Sequence, residues 1–377
     1  MDIKNLELQP SSALNIDSLA GMIADLQHTS GEIPWHEGGK TDPWDLVESA
    51  MGLNIGGLSK EADLAFQWMV KKQNENGSWF SSYINGVPED RTMETNMSAY
   101  IATGVFHTWL IRQNKHNHLI SKGQKIDSIS SLDDCGLHAQ DFLQKMWPCV
   151  QKGIDFAISL QTDRGEIYWA KSPQGNVDPM ALLTGSSSIF MSLKCALSIA
   201  HLLGIKMPRW EKAFEKLGST IKNNIHIYNI SKSRFSMYWF YPILSGALTG
   251  EAAIKRVEKY WKKYVVEGQG IRCVSDRPWI TMAETSEFVI ALAAMGNMKL
   301  AKIVFSWIQE RTYDDGTFWC GYTFPDMVIW PEEKISWTNG VVLMAADALY
   351  GLTPASNLFN HDAWNGFRFK GLMGNQK

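Results

Sequence analysis

The chain has 377 residues, of which 45% are hydrophobic and 20% charged, so it can bury a large core and is neither disordered nor collagen-like. With 36 basic and 39 acidic residues the net charge is -3. This balance does not indicate a strongly basic surface for binding nucleic acid or an anionic membrane. The longest apolar runs fall short of the roughly 18 residues of a membrane span, the N-terminus lacks an export signal, and the five cysteines are scattered. We therefore expect a cytoplasmic protein without a membrane span.

The first predicted helix begins at Asp42-Pro43-Trp44-Asp45. Asp42 is suited to cap the helix, Pro43 fits its first position, and a second acid follows three residues after the cap. The helix ends before Gly56-Gly57, and its partner runs from Glu61 to Lys72. This pair is the first of a series of helical hairpins.

Similar pairs follow along the chain. Further first helices are predicted to begin near Glu94, Thr184, Tyr238, Thr281 and Thr338; their partners are Leu137–Ser159, Arg209–Asn223, Gly250–Tyr264, Met298–Arg311 and a poorly defined segment after Pro354. The spacing is roughly 45 to 55 residues, except where a polar insertion at 114–135 lengthens one repeat. Strands are predicted only at Ile225–Tyr228 and Ile167–Trp169.

Six hairpins predict an all-α fold, an (α/α)6 toroid around a central cavity. A helical hairpin cannot bury its apolar face alone, and neither terminal hairpin is polar enough to cap an open stack. Closure into a ring removes both ends. We expect one domain over residues 1–377, with an N-terminal helix and mouth loop in residues 1–41.

The segment Gln73-Asn74-Glu75-Asn76-Gly77-Ser78-Trp79 resembles the repeat signature of squalene–hopene-type cyclases. Less complete copies of the signature follow at Gln161 to Gly165 with Trp169 and at Asp315 to Trp319. The chain is thus similar to the terpenoid cyclase and protein prenyltransferase superfamily, whose members are α/α toroids. In that family the repeat implies a glycine turn after an outer helix, with Gln and Trp tying adjacent hairpins together.

The resemblance also implies metal and acid motifs, which the chain matches only in part. The string Ser131-Leu132-Asp133-Asp134 has Ser131 where a cyclase has its first Asp. The pair Asp133 and Cys135, with His138 or His201, fits half of a prenyltransferase zinc site. A cofactor is therefore not predicted, although Zn or Mg stays possible.

The inner-helix starts and their loops would gather around one mouth. Candidate catalytic residues there are Glu94, Glu284, Asp42, Asp45 and His36; candidate substrate-binding residues are Trp35, Trp44, Arg91, Trp169, Arg234, Tyr238, Trp239, Arg277, Trp279, Trp330 and Trp337. Helix N-termini and arginines would favour an anion, and aromatic rings would favour a carbocation or a sugar. Asp42 and Glu284 also suit helix capping, Asp90-Arg91 and Asp276-Arg277 suit loop ion pairs, and His36 suits a polar surface.

Three function classes stay open. The resemblance favours an isoprenoid enzyme, a prenyltransferase or terpenoid cyclase acting on an isoprenoid or its diphosphate. The alternative is a carbohydrate-active enzyme, a glycosidase, lyase or epimerase, using paired carboxylates such as Glu94 and Glu284 on a saccharide. The third class is a non-catalytic binding toroid. Rings without paired acids would support the first class, and two facing carboxyls would support the second.

Overall fold

The computed structural model describes residues 6–9, 14–121 and 139–370. Twelve α-helices lie in these ranges: α1 (Ile16–Leu26), α2 (Pro43–Ile55), α3 (Ser59–Lys72), α4 (Thr95–Ser121), α5 (Ala139–Ser159), α6 (Leu183–Leu202), α7 (Pro208–Asn223), α8 (Ser236–Leu244), α9 (Gly250–Tyr264), α10 (Met282–Ala294), α11 (Met298–Ser306) and α12 (Ser336–Tyr350). The predicted starts of the inner helices and the ends of most outer ones agree with these bounds to within a few residues.

The even-numbered helices form a closed inner ring. Each of α2, α4, α6, α8 and α10 packs against the next in chain order, and α12 packs back onto α2. The odd-numbered helices α3, α5, α7, α9 and α11 each pack outside the helix that precedes them. This is the (α/α)6 toroid that the hairpin repeat predicts.

The closure of the ring differs from the prediction. The outer partner of α12 is α1, from the other end of the chain, because α1 packs against α12 and α2. As far as residue 370, the segment after Pro354 forms no outer helix. It contains a short 3-10 turn (His361–Ala363) and a hairpin of strands at Trp364–Asn365 and Arg368–Phe369, where Ser198 of α6 donates to the Phe367 carbonyl.

Inner and outer helices bury different fractions of their surface. Helix α10 is buried along its whole length, whereas α9 buries one stripe and exposes lysines and glutamates. A helix that has neighbours on both sides and an outer layer behind it must be apolar around most of its circumference. Helix α6 is apolar and long enough to resemble a membrane span, but 94% of that window is buried within the fold.

Short strands are more frequent than the sequence pattern indicates. Eleven strands form four small antiparallel sheets in the described ranges: β1 (Ser82–Ile84) with β2 (Val87–Asp90); β3 (Met93–Glu94), β4 (Tyr168–Lys171) and β5 (Val177–Ala181); β6 (Val265–Val266), β7 (Gly270–Arg272), β8 (Trp279–Thr281) and β9 (Gly321–Thr323); and β10 (Trp364–Asn365) with β11 (Arg368–Phe369). The predicted strand near Ile225 is a 3-10 turn (Ile225–Ile227). Strands β3 and β8 lead directly into α4 and α10, so they fix where these inner helices begin.

The glutamine turns join successive outer helices. The side-chain amide of Gln73 donates to the carbonyls of Gly77 (3.0 Å) and of Cys149 (2.9 Å) on α5. Gln161 makes the same two contacts with Gly165 and with Ala213 on α7. At Gly77, φ is 90° and a Cβ would lie 2.2 Å from the Lys152 carbonyl oxygen, so only glycine fits. The structural role that the resemblance implies for these turns is therefore present.

Candidate active site

Two inner helices carry the same acidic pattern at their N-termini. Counting from the first helical residue, the third and sixth positions of α2 are Asp45 and Glu48, and those of α10 are Glu284 and Glu287. Residues three apart lie on one face of a helix. Helices α2 and α10 both flank α12. We call Asp45 and Glu284 the upper pair and Glu48 and Glu287 the lower pair.

The lower pair is buried and held by aromatic side chains. Glu48 is 3% exposed, and its Oε1 accepts hydrogen bonds from Trp44 Nε1 (2.7 Å) and from the Tyr100 hydroxyl (3.1 Å). Glu287 is 5% exposed and accepts a hydrogen bond from the Tyr241 hydroxyl. Tyr100 and Tyr241 themselves occupy the sixth positions of α4 and α8. The sixth positions of four inner helices therefore form one buried polar layer.

Burial and the charges of neighbouring acids raise the pKa of both members of the lower pair. Burial is the main reason that the pKa of Glu48 is raised to about 8; the charges of Asp42 and Glu284 act in the same direction, and the hydrogen bonds from Trp44 and Tyr100 oppose them. Burial, then repulsion from Glu48 and Glu284, holds the pKa of Glu287 well above its usual range. Because an acid with a pKa near 8 is mostly neutral at pH 7, Glu48 adds little negative charge beside the upper pair.

A second aspartate, Asp42, lies beside Asp45 at the start of α2. Asp42 caps α2, since its Oδ1 accepts a hydrogen bond from the Asp45 backbone N–H at 2.9 Å. Burial raises the pKa of Asp45 well above its usual range, and the Asp42 carboxyl adds to the shift by charge and by hydrogen bonding. Unlike the lower pair, Asp45 keeps part of its surface exposed. Asp45 is therefore a carboxyl whose surroundings favour the protonated form, on a residue that keeps partial exposure.

Glu284 supplies the second carboxyl of the upper pair. Its side chain is 8% exposed, and its Oε2 is buried without a hydrogen-bond partner. Burial and the nearby charge of Glu284 raise the pKa of both the Cys273 and Cys320 thiols, and Asp45 contributes at Cys320 as well. Cys320 thus lies within the influence of both members of the upper pair. A buried polar atom without a partner is costly unless a ligand or water satisfies it.

Glu94 lies at the end of β3, directly before α4. Its Oε1 accepts a hydrogen bond from Ser81 Oγ at 3.1 Å. Burial is the main reason that the pKa of Glu94 is raised to about 7; Asp42 and Asp90 act in the same direction, and Ser81 and Lys40 oppose them. Glu94 is therefore a partly exposed carboxyl within the electrostatic influence of Asp42.

Trp35 and Trp337 lie beside the starts of α2 and α12, and Trp169 lies on β4 beside the start of α4. Trp35 donates from Nε1 to Asp42 Oδ2 at 3.0 Å and packs edge-on against Trp337, with ring centroids 6.0 Å apart. The indole nitrogens of Trp337 and Trp169 are buried without hydrogen-bond partners. Indole rings with an unused N–H are suited to contact a sugar through both face and donor.

A second tryptophan pair lies on the rim. Trp279 of β8 packs against Trp330 with ring centroids 5.1 Å apart, and its Nε1 donates to the Trp330 carbonyl at 2.8 Å. The Trp330 side chain is 59% exposed. The pair forms an aromatic surface open to solvent.

Several predicted binding residues lie elsewhere. Trp239 is 1% exposed, stacks on Tyr264 and donates to the Arg256 carbonyl, so it is a core residue. Tyr238 is buried, and the charges that influence it most come from Arg256 and Tyr260 on the outer helix α9. Trp44 is buried as well, between Tyr100 and Tyr241, and reaches the site only through Glu48.

The predicted arginines lie on the surface. Arg234 pairs with Asp276 at 2.8 Å in an exposed ion pair, so Asp276 is not the partner of Arg277. Arg277 is exposed, and Arg91 is exposed over the Phe80 ring. The prediction that these arginines gather around an anion is wrong.

His36 lies in a groove beside α1, away from the paired carboxyls. Its Nδ1 contacts the Glu37 carbonyl. Asp133, Asp134, Cys135 and His138 lie outside the described residues. Within the ranges that are described, no group of three or more His, Cys, Asp or Glu side chains is arranged to hold a metal ion.

Sequence reasoning missed Glu48, Glu287, Tyr100 and Tyr241. The signal that could have found the acids is the repeated spacing, an acid followed three residues later by Glu, at the start of both α2 and α10. The tyrosines carry no such signal, because only the closed ring brings the sixth positions of α4 and α8 to these acids.

Comparisons with known proteins identify the relatives of this chain. No family model matches it. It is 43% identical over 340 residues, 90% of its length, to an MMP endo-(1,4)-3-O-methyl-α-D-mannosidase from Mycolicibacterium hassiacum, covering 87% of that protein.

Solved structures with the same fold have low sequence identity. A glycosidase is 14% identical with a TM-score of 0.62, over 90% of this chain and 98% of the other. A GH63 mannosylglycerate hydrolase from Thermus thermophilus is 10% identical with a TM-score of 0.62, over 87% and 99%. A D-mannose isomerase is 10% identical with a TM-score of 0.60, over 87% and 94%. These structures support the fold alone.

The resemblance to terpenoid cyclases and prenyltransferases is therefore wrong as a family assignment, and with it the isoprenoid function. The glycine turns misled because their role in this chain is structural, joining α3 to α5 and α5 to α7, and a feature of the fold does not determine the chemistry. The alternative of a carbohydrate-active enzyme agrees with the relatives and with the paired carboxyls. The chain is an enzyme of the family to which the endo-(1,4)-3-O-methyl-α-D-mannosidase of M. hassiacum belongs.

Proposed function

We propose that the protein hydrolyses internal α-1,4 linkages in a mannose polymer that carries 3-O-methyl groups. The observation that supports this most is the 43% identity to a mannosidase of that specificity across 90% of the chain. The two acidic helix starts, α2 and α10, supply the paired carboxyls that glycoside hydrolysis needs.

In the proposed reaction Asp45 is the proton donor. Burial and the neighbouring Asp42 carboxyl raise its pKa and favour its protonated form, so it can give its proton to the glycosidic oxygen as the bond breaks. Glu284 supplies the second carboxyl on the α10 side, with an oxygen free to contact water or the anomeric carbon. Once Asp45 has given up its proton, the Asp42 carboxyl beside it stabilises the ionised form less well than the protonated form. This difference favours reprotonation of Asp45.

The tryptophans are proposed to bind the sugar faces. Trp337 and Trp169 offer indole N–H groups without partners, and Trp279 and Trp330 offer an open aromatic surface. An O-methyl group makes a sugar face more apolar, so it pairs favourably with an indole ring. The site needs no cationic clamp because this substrate is neutral.

The test is a digest of α-1,4-linked 3-O-methylmannose oligosaccharides followed by mass spectrometry. Internal cleavage, giving products of intermediate length from the first time points, supports the proposal. Proton NMR of the first product shows whether the anomeric configuration is kept or inverted, which assigns Glu284 as nucleophile or base. Absence of cleavage with both methylated and unmethylated α-1,4-mannosides would contradict the proposed function.

A further inference from the structure

A large groove lies outside the carboxyl site, between α1 and two loops of the mouth. Its volume is about 960 Å³. It is lined by residues of α1 and of the turn that follows it, and by Pro34, His36, Glu37, Gly38, Asp315, Thr317, Glu333 and Lys334. A volume of this size is at the upper end of the roughly 300 to 1,000 Å³ typical of small-molecule sites.

The walls of the groove are fixed by contacts between distant parts of the chain. Ser18 of α1 donates to the Asp315 carbonyl, and the Asp315 carboxylate pairs with Lys334. Gln27 donates to the carbonyls of Gly31 (3.2 Å) and of Glu61 (2.9 Å), which ties the turn after α1 to α3. The groove is therefore built into the fold before any ligand binds, which lowers the entropy cost of binding.

The loop 34–38 is attached to the start of α12. The Ser336 backbone N–H donates to the Trp35 carbonyl at 2.8 Å, and Ser336 Oγ donates to the Pro34 carbonyl at 2.8 Å. The same loop carries Trp35, whose indole reaches Asp42. One short segment thus forms a wall of the groove with His36 and Glu37 and touches the carboxyl site with Trp35.

The chemistry of the lining suits a neutral, hydroxyl-rich ligand. Exposed carboxylates of Asp25, Glu37 and Glu333 can accept hydrogen bonds from pairs of sugar hydroxyls, and His28 and His36 can donate or accept. The apolar side chains of Met22 and Leu26 also line the groove. The lysine in this lining, Lys334, is already paired with Asp315, so an anionic ligand would meet more repulsion than attraction.

We propose that this groove binds the part of a glycan chain that extends beyond the carboxyl site, with Trp35 as the boundary between the two. The inference rests on the proposed function for the identity of the glycan. A chain cleaved at an internal linkage has sugars on both sides of the broken bond, and the groove gives one side a surface of fixed shape. Asp25 of α1 and Glu37 of the loop 34–38, both in the lining, hold the hydroxyls of this outer stretch.

The test compares chain lengths in the double variant Asp25→Asn, Glu37→Gln. Both residues lie on the surface, and the control is Asp163→Asn, an exposed acid on the turn after α5. We expect KM for an α-1,4-mannose octasaccharide to rise about tenfold in the double variant while kcat stays the same. KM for the shortest oligosaccharide that is cleaved should not change, and the control should match the wild type.

An equal change in KM for short and long substrates, or no change for either, would overturn the groove assignment and leave the proposed function intact. If no cleavage is seen, calorimetric titration of the octasaccharide into Glu284→Gln protein distinguishes the groove assignment from the proposed hydrolysis. Binding that the double variant weakens supports the groove and contradicts hydrolysis. Absence of octasaccharide binding contradicts both.

Discussion

The upper and lower pairs are both pairs of acidic residues, about one helical turn apart on α2 and α10, yet their surroundings differ. Glu48 and Glu287 are enclosed, and each accepts hydrogen bonds from aromatic side chains. Glu284 has an oxygen without a partner, and Asp45 keeps partial exposure. A carboxyl whose hydrogen bonds are already made stabilises a conformation, whereas one with unused capacity can bind and react.

The comparison explains why four acids can lie together at the inner-helix starts. Four ionised carboxylates in one buried cluster would repel strongly, and protonation relieves this repulsion for the lower pair. The cost is that the folded protein must hold protons that the unfolded chain releases. Stability and chemistry therefore depend on pH through different members of one cluster.

The largest effect is expected from removing the reacting groups of the upper pair. Asp45→Asn and Glu284→Gln should each lower kcat about 10²- to 10⁴-fold, because each keeps the shape of the side chain and loses its acid or base function. Steady-state kinetics on an α-1,4-mannoside measures this. Glu258→Gln, an exposed change on α9, is the control. Activity retained in either variant would remove that residue from the reaction.

The lower pair should behave in the opposite way, affecting stability more than turnover. Glu48 has a pKa of about 8 in the folded protein, above its unfolded value, so stability falls as pH rises from about 4.5 to 8. Glu48→Gln keeps an oxygen acceptor for Trp44 and Tyr100 and removes the proton requirement. We expect its unfolding temperature at pH 7 to exceed that of the wild type by a few degrees.

Thermal unfolding measured across pH checks this expectation. The difference between Glu48→Gln and the wild type should shrink towards zero below about pH 4.5, where both the folded and the unfolded wild type are protonated. Glu48→Leu is the matched comparison, since it leaves the Trp44 N–H and the Tyr100 hydroxyl without an acceptor and should destabilise at every pH. A destabilised Glu48→Gln at pH 7 would show that Glu48 is charged in the fold.

The ring was predictable from sequence, because the helix starts, the glycine turns and the hairpin spacing are local signals. The start of α2 is an example, because the cap Asp42, the proline after it and the acid that follows are all recognisable in the sequence. The closing role of α1 was not predictable, since nothing local indicates that a helix at residue 16 will pack beside one at residue 336.

The candidate site was predictable only for residues that begin helices. Asp42, Asp45 and Glu284 follow from placing the inner-helix starts at one mouth. The prediction for the arginines was wrong because a loop residue beside the mouth can orient its side chain in many directions. Arg234 forms an ion pair with Asp276 on the surface. The prediction for Trp239 was wrong because residues at the start of an inner helix can also face the outer helices. Trp239 donates a hydrogen bond to the Arg256 carbonyl on α9.

A smaller effect is expected from Trp35, which links the upper pair to the groove. Trp35→Phe keeps the edge contact with Trp337 and removes the hydrogen bond to Asp42, and we expect kcat/KM to fall about tenfold. Trp364→Phe is the matched control, because it also removes an indole hydrogen bond, to the Leu358 carbonyl, far along the chain from the site. It should lower the unfolding temperature and leave kcat/KM unchanged. Equal kinetic losses in both variants would mean that Trp35 acts through stability alone.

The smallest effect is expected at the rim, where Trp330 is largely exposed and contacts Trp279. Trp330→Ala removes one stacking surface that lies outside the carboxyl site, so KM should rise about threefold with kcat unchanged. Val328→Ala, an exposed apolar change in the same loop, should change neither constant. A fall in kcat for Trp330→Ala would indicate that the rim pair positions the cleaved linkage, and would make the aromatic rim part of the reacting site instead of an outer binding surface.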